Sequence, residues 1–235
     1  SSAASDVYKR QSGNSVSQPA FGTTVESMPL SKVPKDPQKV WEALQAGNER
    51  LVSGNAISVN TESRLRARLT RGQDPRVIVL ACSDSRAPIE HVFNIGFGDA
   101  FVIRTAGHIL DNAVLASLDY ALENLNANLL VVMGHQSCGA VGAASAFLNG
   151  EINLPTGLQR PIIEKVAASA LQAKRQGRET RPDFERENTA QTVSQIIADV
   201  PAARRLLDAG TLGVVGLRYL LEDSSVETVV RHGVD

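Results

Sequence analysis

Three short runs of continuous apolar residues constrain this fold more than any other feature: 76–81 (RVIVLA), 100–104 (AFVIR) and 128–134 (NLLVVMG). Each has the length of a strand and is rich in β-branched residues. Each is also apolar on both faces, as a parallel strand must be when helices cover both sides of its sheet. Between the second and third runs, residues 111–125 set Ala113, Val114, Leu118, Ala121, Leu122 and Leu125 at helical spacing. Residues 138–148 (CGAVGAASAFL) predict a small-residue helix able to pack closely on a sheet. Further helices are expected over 159–177, 184–199 and 202–209, a fourth strand over 212–217 and a weaker edge strand over 226–230. Such alternation predicts an α/β fold: a mostly parallel sheet of four strands plus an edge strand, flanked by helices.

Ahead of this pattern, Pro37 suits a helix start, and Val40, Trp41, Leu44, Leu51 and Val52 fall on one helical face. Trp41, the sole tryptophan, reads as an anchor in the core or in an interface. Residues 1–36 are rich in Ser, Gly, Pro and Thr and read as a flexible arm, of which 1–11 resemble translated vector sequence. One domain is expected over 37–235.

The balance of the chain narrows its partners. A formal net charge of −1 argues against nucleic acid or an anionic membrane surface as partner, since both call for a basic face. No apolar run approaches the roughly 18 residues that cross a bilayer. With 43% hydrophobic and 21% charged residues, the composition is that of a globular protein with a sizeable core. Arg64, Arg66, Arg68 and Arg71 read as a solvated helix face, and the charged stretch 174–186 as an exposed helix end and loop.

Cys82 and Cys138 are the two cysteines, too few for a disulfide scaffold. Each stands at the carboxyl end of an expected strand, where open α/β sheets place their sites. Cys82-Ser83-Asp84-Ser85-Arg86 follows the first strand, and Gly134-His135-Gln136-Ser137-Cys138-Gly139 follows the third. Two thiolates and an imidazole suit Zn2+ and leave one of four tetrahedral positions open, as catalysis on a bound water requires. Cys138 at a helix N-terminus would favour its thiolate form. Asp84 and Arg86 suggest a salt-bridged pair, with Asp84 able either to accept a hydrogen bond from the zinc-bound water or to become the fourth ligand. Spacing alone leaves two buried inert thiols, or a disulfide, as alternatives. Each motif is weak by itself, but the pair at two strand ends, using every cysteine, favours the metal.

CSDSR followed by GHQSCGAV resembles the zinc motifs Cys-x-Asp-x-Arg and His-x-x-Cys of the β-class carbonic anhydrases, and the similarity runs from about Pro37 to Val230. Supporting stretches are ALQAGNERLVSG (43–54), GDAFVIRTAGHILDNAVLASLDYAL (98–122) and GTLGVVGLRYLLED (210–223); the RTAGH form is similar to actinobacterial members. The resemblance implies Zn2+ on Cys82, His135 and Cys138, with Asp84 and Arg86 as a catalytic dyad. It implies a carbon dioxide pocket at Phe101, Ala106, Tyr120 and Gly139, with Phe101 and Tyr120 reaching in from a partner subunit. A homodimer or dimer of dimers is implied, with the Trp41 helix packed across the neighbouring subunit. A pocket glutamine of plant-type members would align near Thr61, so that role is not carried over. Val79 stands where members with a regulatory bicarbonate site have tryptophan, so that site is expected to be absent.

The implied reaction is CO2 + H2O ⇌ HCO3− + H+, by attack of a zinc-bound hydroxide oriented by Asp84. Two thiolates neutralise Zn2+, so the bound water should be less acidic than in a three-histidine site, with activity rising toward alkaline pH. A closed form with Asp84 on zinc is also expected. The rival functions are hydrolysis of carbon disulfide, a catalytically silent zinc protein and a redox dithiol. Of the other histidines, His91, His108 and His232, only His108 follows a strand near the site, and none is read as catalytic. Free thiolates point to the cytoplasm, while a chain that starts at Ser1 leaves a removed signal peptide open.

Overall fold

The computed structural model describes residues 30–57 and 63–235; Thr61 and most of the expected arm lie outside the described residues. Among these, five strands form one sheet in the order β2-β1-β3-β4-β5: β1 (Val77–Cys82), β2 (Ala100–Thr105), β3 (Leu129–His135), β4 (Gly213–Tyr219) and β5 (Val226–His232). The first four run parallel, and β5 pairs antiparallel with β4 at one edge. β1, β3 and β4 are buried along their whole length, which is why their sequences are apolar on both faces. β2, at the other edge, is half-buried throughout.

Alternation along each strand sorts the core into two layers. Val77, Val79, Leu129, Val131 and Leu217 face one side and pack with α1 (Pro37–Val52) and α3 (Ile89–Val92). Ile78, Leu80, Leu130, Val132 and Val214 face the other and pack with α4 (Asn112–Asn124), α7 (Arg181–Asp199) and α8 (Pro201–Asp208). A third cluster joins α5 (Gly139–Leu148) and α6 (Arg160–Arg175) to both cysteines at the carboxyl end of the sheet. α2 (Ser63–Leu69) lies outside these layers.

The helices start where the sequence caps them. Asp36 accepts from the Lys39 amide and Asp111 from the Val114 amide, each satisfying a free first-turn N–H. α7 begins at Arg181, three residues before the expected start, because Thr180 and Asp183 form a capping box and a proline stands in the first turn. Residues 181–186 are therefore helical, where the charge pattern suggested an exposed end. β4 runs on to Tyr219, past the expected end at Leu217, because buried Arg218 is matched by Glu185 at 2.8 Å.

One expectation about the amino-terminal region changes. The packed chain begins before Pro37, with Leu30 and Val33 buried in the α1 layer. In α1, Val40, Trp41 and Leu44 are fully buried in their own chain, so Trp41 is a core anchor, while Val52 at the end of the helix is exposed. Asn48 adds to this anchoring, donating to the Val92 and Ser224 carbonyls and accepting from the Val226 amide.

Candidate metal centre

The strand order reverses direction at β1. The connection leaving β1 runs to β2 on one side and that leaving β3 runs to β4 on the other, so the two diverge and open a crevice at the carboxyl ends of β1 and β3. Cys82 is the last residue of β1 and His135 the last of β3, with Ala81 level with Met133. Cys138 follows as the N-cap of α5. One ligand atom from each of Cys82, His135 and Cys138 lies within 4.8 Å of the other two, and all three residues are buried.

This donor set fits zinc. His135 Nδ1 lies 2.9 Å from the Gln136 carbonyl, which can only accept, so the ring proton sits on Nδ1 and the lone pair on Nε2. That Nε2 is buried and has no hydrogen-bond partner among the described residues, a costly state for a polar atom unless something binds it. Bond lengths of about 2.3 Å to sulfur and about 2.0 Å to nitrogen match a triangle of this spread. The two thiols are free rather than bridged.

The electrostatics also call for a cation. A hydrogen bond from Cys138 holds the Cys82 thiol well below its usual range against the cost of burial, with help from His135 and the Gly107 amide. The same proximity, with burial, pushes the Cys138 thiol up. Two adjacent thiolates coexist only beside positive charge, so metal binding must expel the proton that the pair retains. Burial works against charge on His135, yet the Cys82 sulfur, the Gln136 carbonyl and Asp84 raise its pKa on balance.

Asp84 and Arg86 stand at the mouth of the centre. Asp84 Oδ1 accepts from the Arg86 amide at 2.9 Å and from Arg86 Nε at 3.0 Å, and Oδ2 accepts from Nη2 at 2.8 Å. These bonds hold the carboxyl well below the usual carboxylate range. Oδ2 also lies 3.7 Å from His135 Nε2, so the carboxylate is turned toward Arg86 while remaining beside the ligand atoms. Arg86 reaches the Ser137 carbonyl at 3.3 Å as well, linking the two motif loops.

Of the expected pocket residues, Ala106 and Gly139 lie at the centre. Ala106 opens the turn whose Gly107 amide donates to Cys82 Sγ at 3.3 Å. A side chain built at Gly139 would meet no atom within 4 Å, so open space adjoins Cys138. Phe101 and Tyr120 form a tilted aromatic pair with centroids 6.3 Å apart. Phe101 is level with Ile78, four residues before Cys82, about 13 Å along the strand, so this pair does not reach the centre of its own chain.

Several neighbours of the centre were not singled out by the sequence pattern. Arg104 donates to the Cys82 carbonyl from Nε at 2.9 Å and Nη2 at 2.7 Å, and to the Asp84 carbonyl at 2.6 Å, fixing the first motif loop. Its signal was a charge ending an otherwise apolar strand. Arg181 and Glu185 contact Cys138, and Asn188 holds the Gly107 carbonyl and His108. Their spacing of three to four residues marked one face of α7, but nothing in the pattern said that the face was buried. His108 is buried, and His91 and His232 lie in α3 and at the end of β5. Val79 is buried within the sheet.

A family model described as carbonic anhydrase matches residues 77–226. The structure is similar to one of two tetrameric β-carbonic anhydrases from the filamentous ascomycete Sordaria macrospora. The TM-score is 0.61 at 18% identity, over 81% of this chain and 97% of that one. The chain belongs to the carbonic anhydrase family, in its β class, whose general reaction is the hydration of carbon dioxide. It is 42% identical over 188 residues to carbonic anhydrase 2 of Mycobacterium tuberculosis, covering 80% of this chain and 90% of that protein. It is also 42% identical over 193 residues to a carbonic anhydrase of Mycolicibacterium smegmatis, covering 82% and 93%.

Proposed function

We propose that this protein is a zinc enzyme catalysing the reversible conversion of carbon dioxide and water into bicarbonate and a proton, with Cys82, His135 and Cys138 as metal ligands. The observation that carries this is the Nε2 of His135, unpartnered among the described residues, buried beside two free sulfurs and 3.7 Å from an ionised carboxylate. Bound there, zinc would act as a Lewis acid that lowers the pKa of water, less far than in a three-histidine site because two thiolates offset its charge.

The chain's own residues supply the rest. Asp84, kept ionised by Arg86, can only accept, so it takes a hydrogen bond from the attacking water and directs a lone pair at substrate. Arg86 holds Asp84 by a two-toothed contact, which keeps the carboxylate off the metal. Without Arg86, Asp84 would be free to bind the metal itself. Ala106 and Gly139 leave an apolar space for carbon dioxide, completed by Phe101 and Tyr120 of a second copy. A homodimer or dimer of dimers is accordingly the working form. Half-buried β2 at the sheet edge and half-exposed Tyr120 support it, as does the tetrameric state named for the Sordaria enzymes. Among the described residues no helix is long and apolar enough to cross a membrane. Two free thiols fit a reducing compartment such as the cytoplasm.

Stopped-flow hydration of carbon dioxide tests the reading. The wild type should be active, and Asp84→Asn should lose roughly 100-fold or more in kcat while retaining zinc. A zinc-loaded wild type without hydratase activity would refute it.

A further inference from the structure

The peptide joining Ser137 to Cys138 is gripped from both sides. Its carbonyl, that of Ser137, accepts from Arg86 Nη2 at 3.3 Å. Its N–H, that of Cys138, donates to Glu185 Oε1 at 3.3 Å. The next carbonyl, that of Cys138, accepts from Arg181 Nη2 at 2.8 Å alongside the Gly142 amide at 3.0 Å. Glu185 and Arg181 lie one turn apart on α7, with Arg181 Nε 3.6 Å from Glu185 Oε1. Two side chains of one helix thus fix both backbone polar groups of a residue that offers its sulfur to the metal centre.

The surroundings make this more than ordinary packing. Glu185 is 2% exposed, and a carboxylate so buried needs a partner. Its Oε2 accepts from Arg218 Nε at 2.8 Å, and Arg218 also reaches Glu227 at 3.1 Å, which pairs with Arg186 at 2.6 Å. Burying such a string of charges gives little net stability compared with apolar packing, so its place directly behind Cys138 points to positioning. Ser137, just before the gripped amide, has a φ of 57°, a left-handed conformation that a residue with a side chain holds only when its neighbours over-determine it. Gly142 keeps the approach open, since a Cβ there would meet Arg181 Nη2 at 2.9 Å.

We infer that Arg181 and Glu185 are positioning residues of the metal centre. They hold the Ser137–Cys138 peptide so that Cys138 Sγ faces the metal and the Ser137 carbonyl meets the arginine of the Asp84–Arg86 pair. This rests on the zinc reading above and extends it to a helix outside both motifs. Arg181 has a side chain 45% exposed, so its replacement leaves the fold intact. Glu185 sits in the core, and Arg181 carries the test if the Glu185 variant does not fold.

The experiment uses full-length wild type, Arg181→Met, Arg181→Lys and Glu185→Ala. Zinc affinity is measured by chelator competition, and the thiolate charge-transfer bands are recorded after Co2+ substitution. Arg181→Met and Glu185→Ala should bind zinc roughly 10- to 100-fold more weakly, with shifted cobalt bands. Arg181→Lys, which keeps a donor for the Cys138 carbonyl, should recover most of the loss, whereas a role in packing alone would leave Lys and Met alike. Wild-type affinity and bands in Arg181→Met would overturn the inference with the zinc reading intact. A wild type that binds neither metal would overturn both.

Discussion

His108 has one ring nitrogen that must accept. Asn188 Nδ2 donates to the Gly107 carbonyl at 3.1 Å, which fixes the orientation of that amide, and the same nitrogen lies 3.0 Å from His108 Nε2. The imidazole is therefore neutral with its proton on Nδ1, and burial pushes its pKa down to about 4. Between about 6.5 and about 4 the unfolded chain binds a proton that the folded chain refuses, so stability falls as pH drops through that window. Urea unfolding at pH 7.5 and pH 5 should show the wild type losing about 2 kcal/mol more than His108→Gln. Equal losses would show that the buried ring is not the cause. The ligands and the dyad were legible in the sequence because each motif is local and ends a strand. Arg104, Arg181, Glu185 and Asn188 were not, because they reach the centre through contacts 20 to 81 residues away in sequence.

Helix α7 depends on what lies opposite it. A Cβ at Gly134 of β3 would come within 2.5 Å of Thr189 Oγ1, and one at Gly216 of β4 within 3.1 Å of Thr189 Cγ2. The two glycines let the polar face of α7 approach the sheet closely enough for Glu185 and Asn188 to reach the loops at its end. On the other layer, Gly47 does the same for α1, since a Cβ there would stand 1.9 Å from the Phe93 carbonyl oxygen. Gly47→Ala gains about 1 kcal/mol of helix propensity but forces backbone apart, at a cost toward or beyond the upper end of about 1–3 kcal/mol. Denaturant unfolding should show a net loss of about 2 kcal/mol; a neutral or stabilising result would mean that α1 does not rest on α3. The strands and most helices could be read from apolar runs and their period. The start of α7 was signalled by Thr180, Pro182 and Asp183 but hidden among surrounding charges; the end of β4 was not legible, because buried ion pairs such as Arg218 with Glu185 look like surface to any hydropathy pattern.

At the scale of the molecule, the sheet leaves the outer side of edge strand β2 unpaired among the described residues, beside the Phe101–Tyr120 pair. An uncovered edge strand invites pairing with another chain. Light scattering should report a dimer or tetramer for the wild type. Tyr120→Arg should shift it toward monomer, with lower activity and unchanged zinc content. A monomeric wild type with full activity would contradict the completion of each pocket by a second copy. The sequence of α1 did not separate the two roles of its apolar residues, because Val40, Trp41 and Leu44 are buried in their own chain while Val52 is exposed.

The proposed chemistry depends on the convergence of Cys82, His135 and Cys138 on one ion. X-ray absorption at the zinc edge of the purified protein, with the metal counted per chain, measures this directly. One zinc per chain is predicted, with two sulfurs at about 2.3 Å and the remaining ligands nitrogen or oxygen at about 2.0–2.2 Å. A shell of light atoms without sulfur, or protein purified under reducing conditions that takes up no zinc, would contradict it.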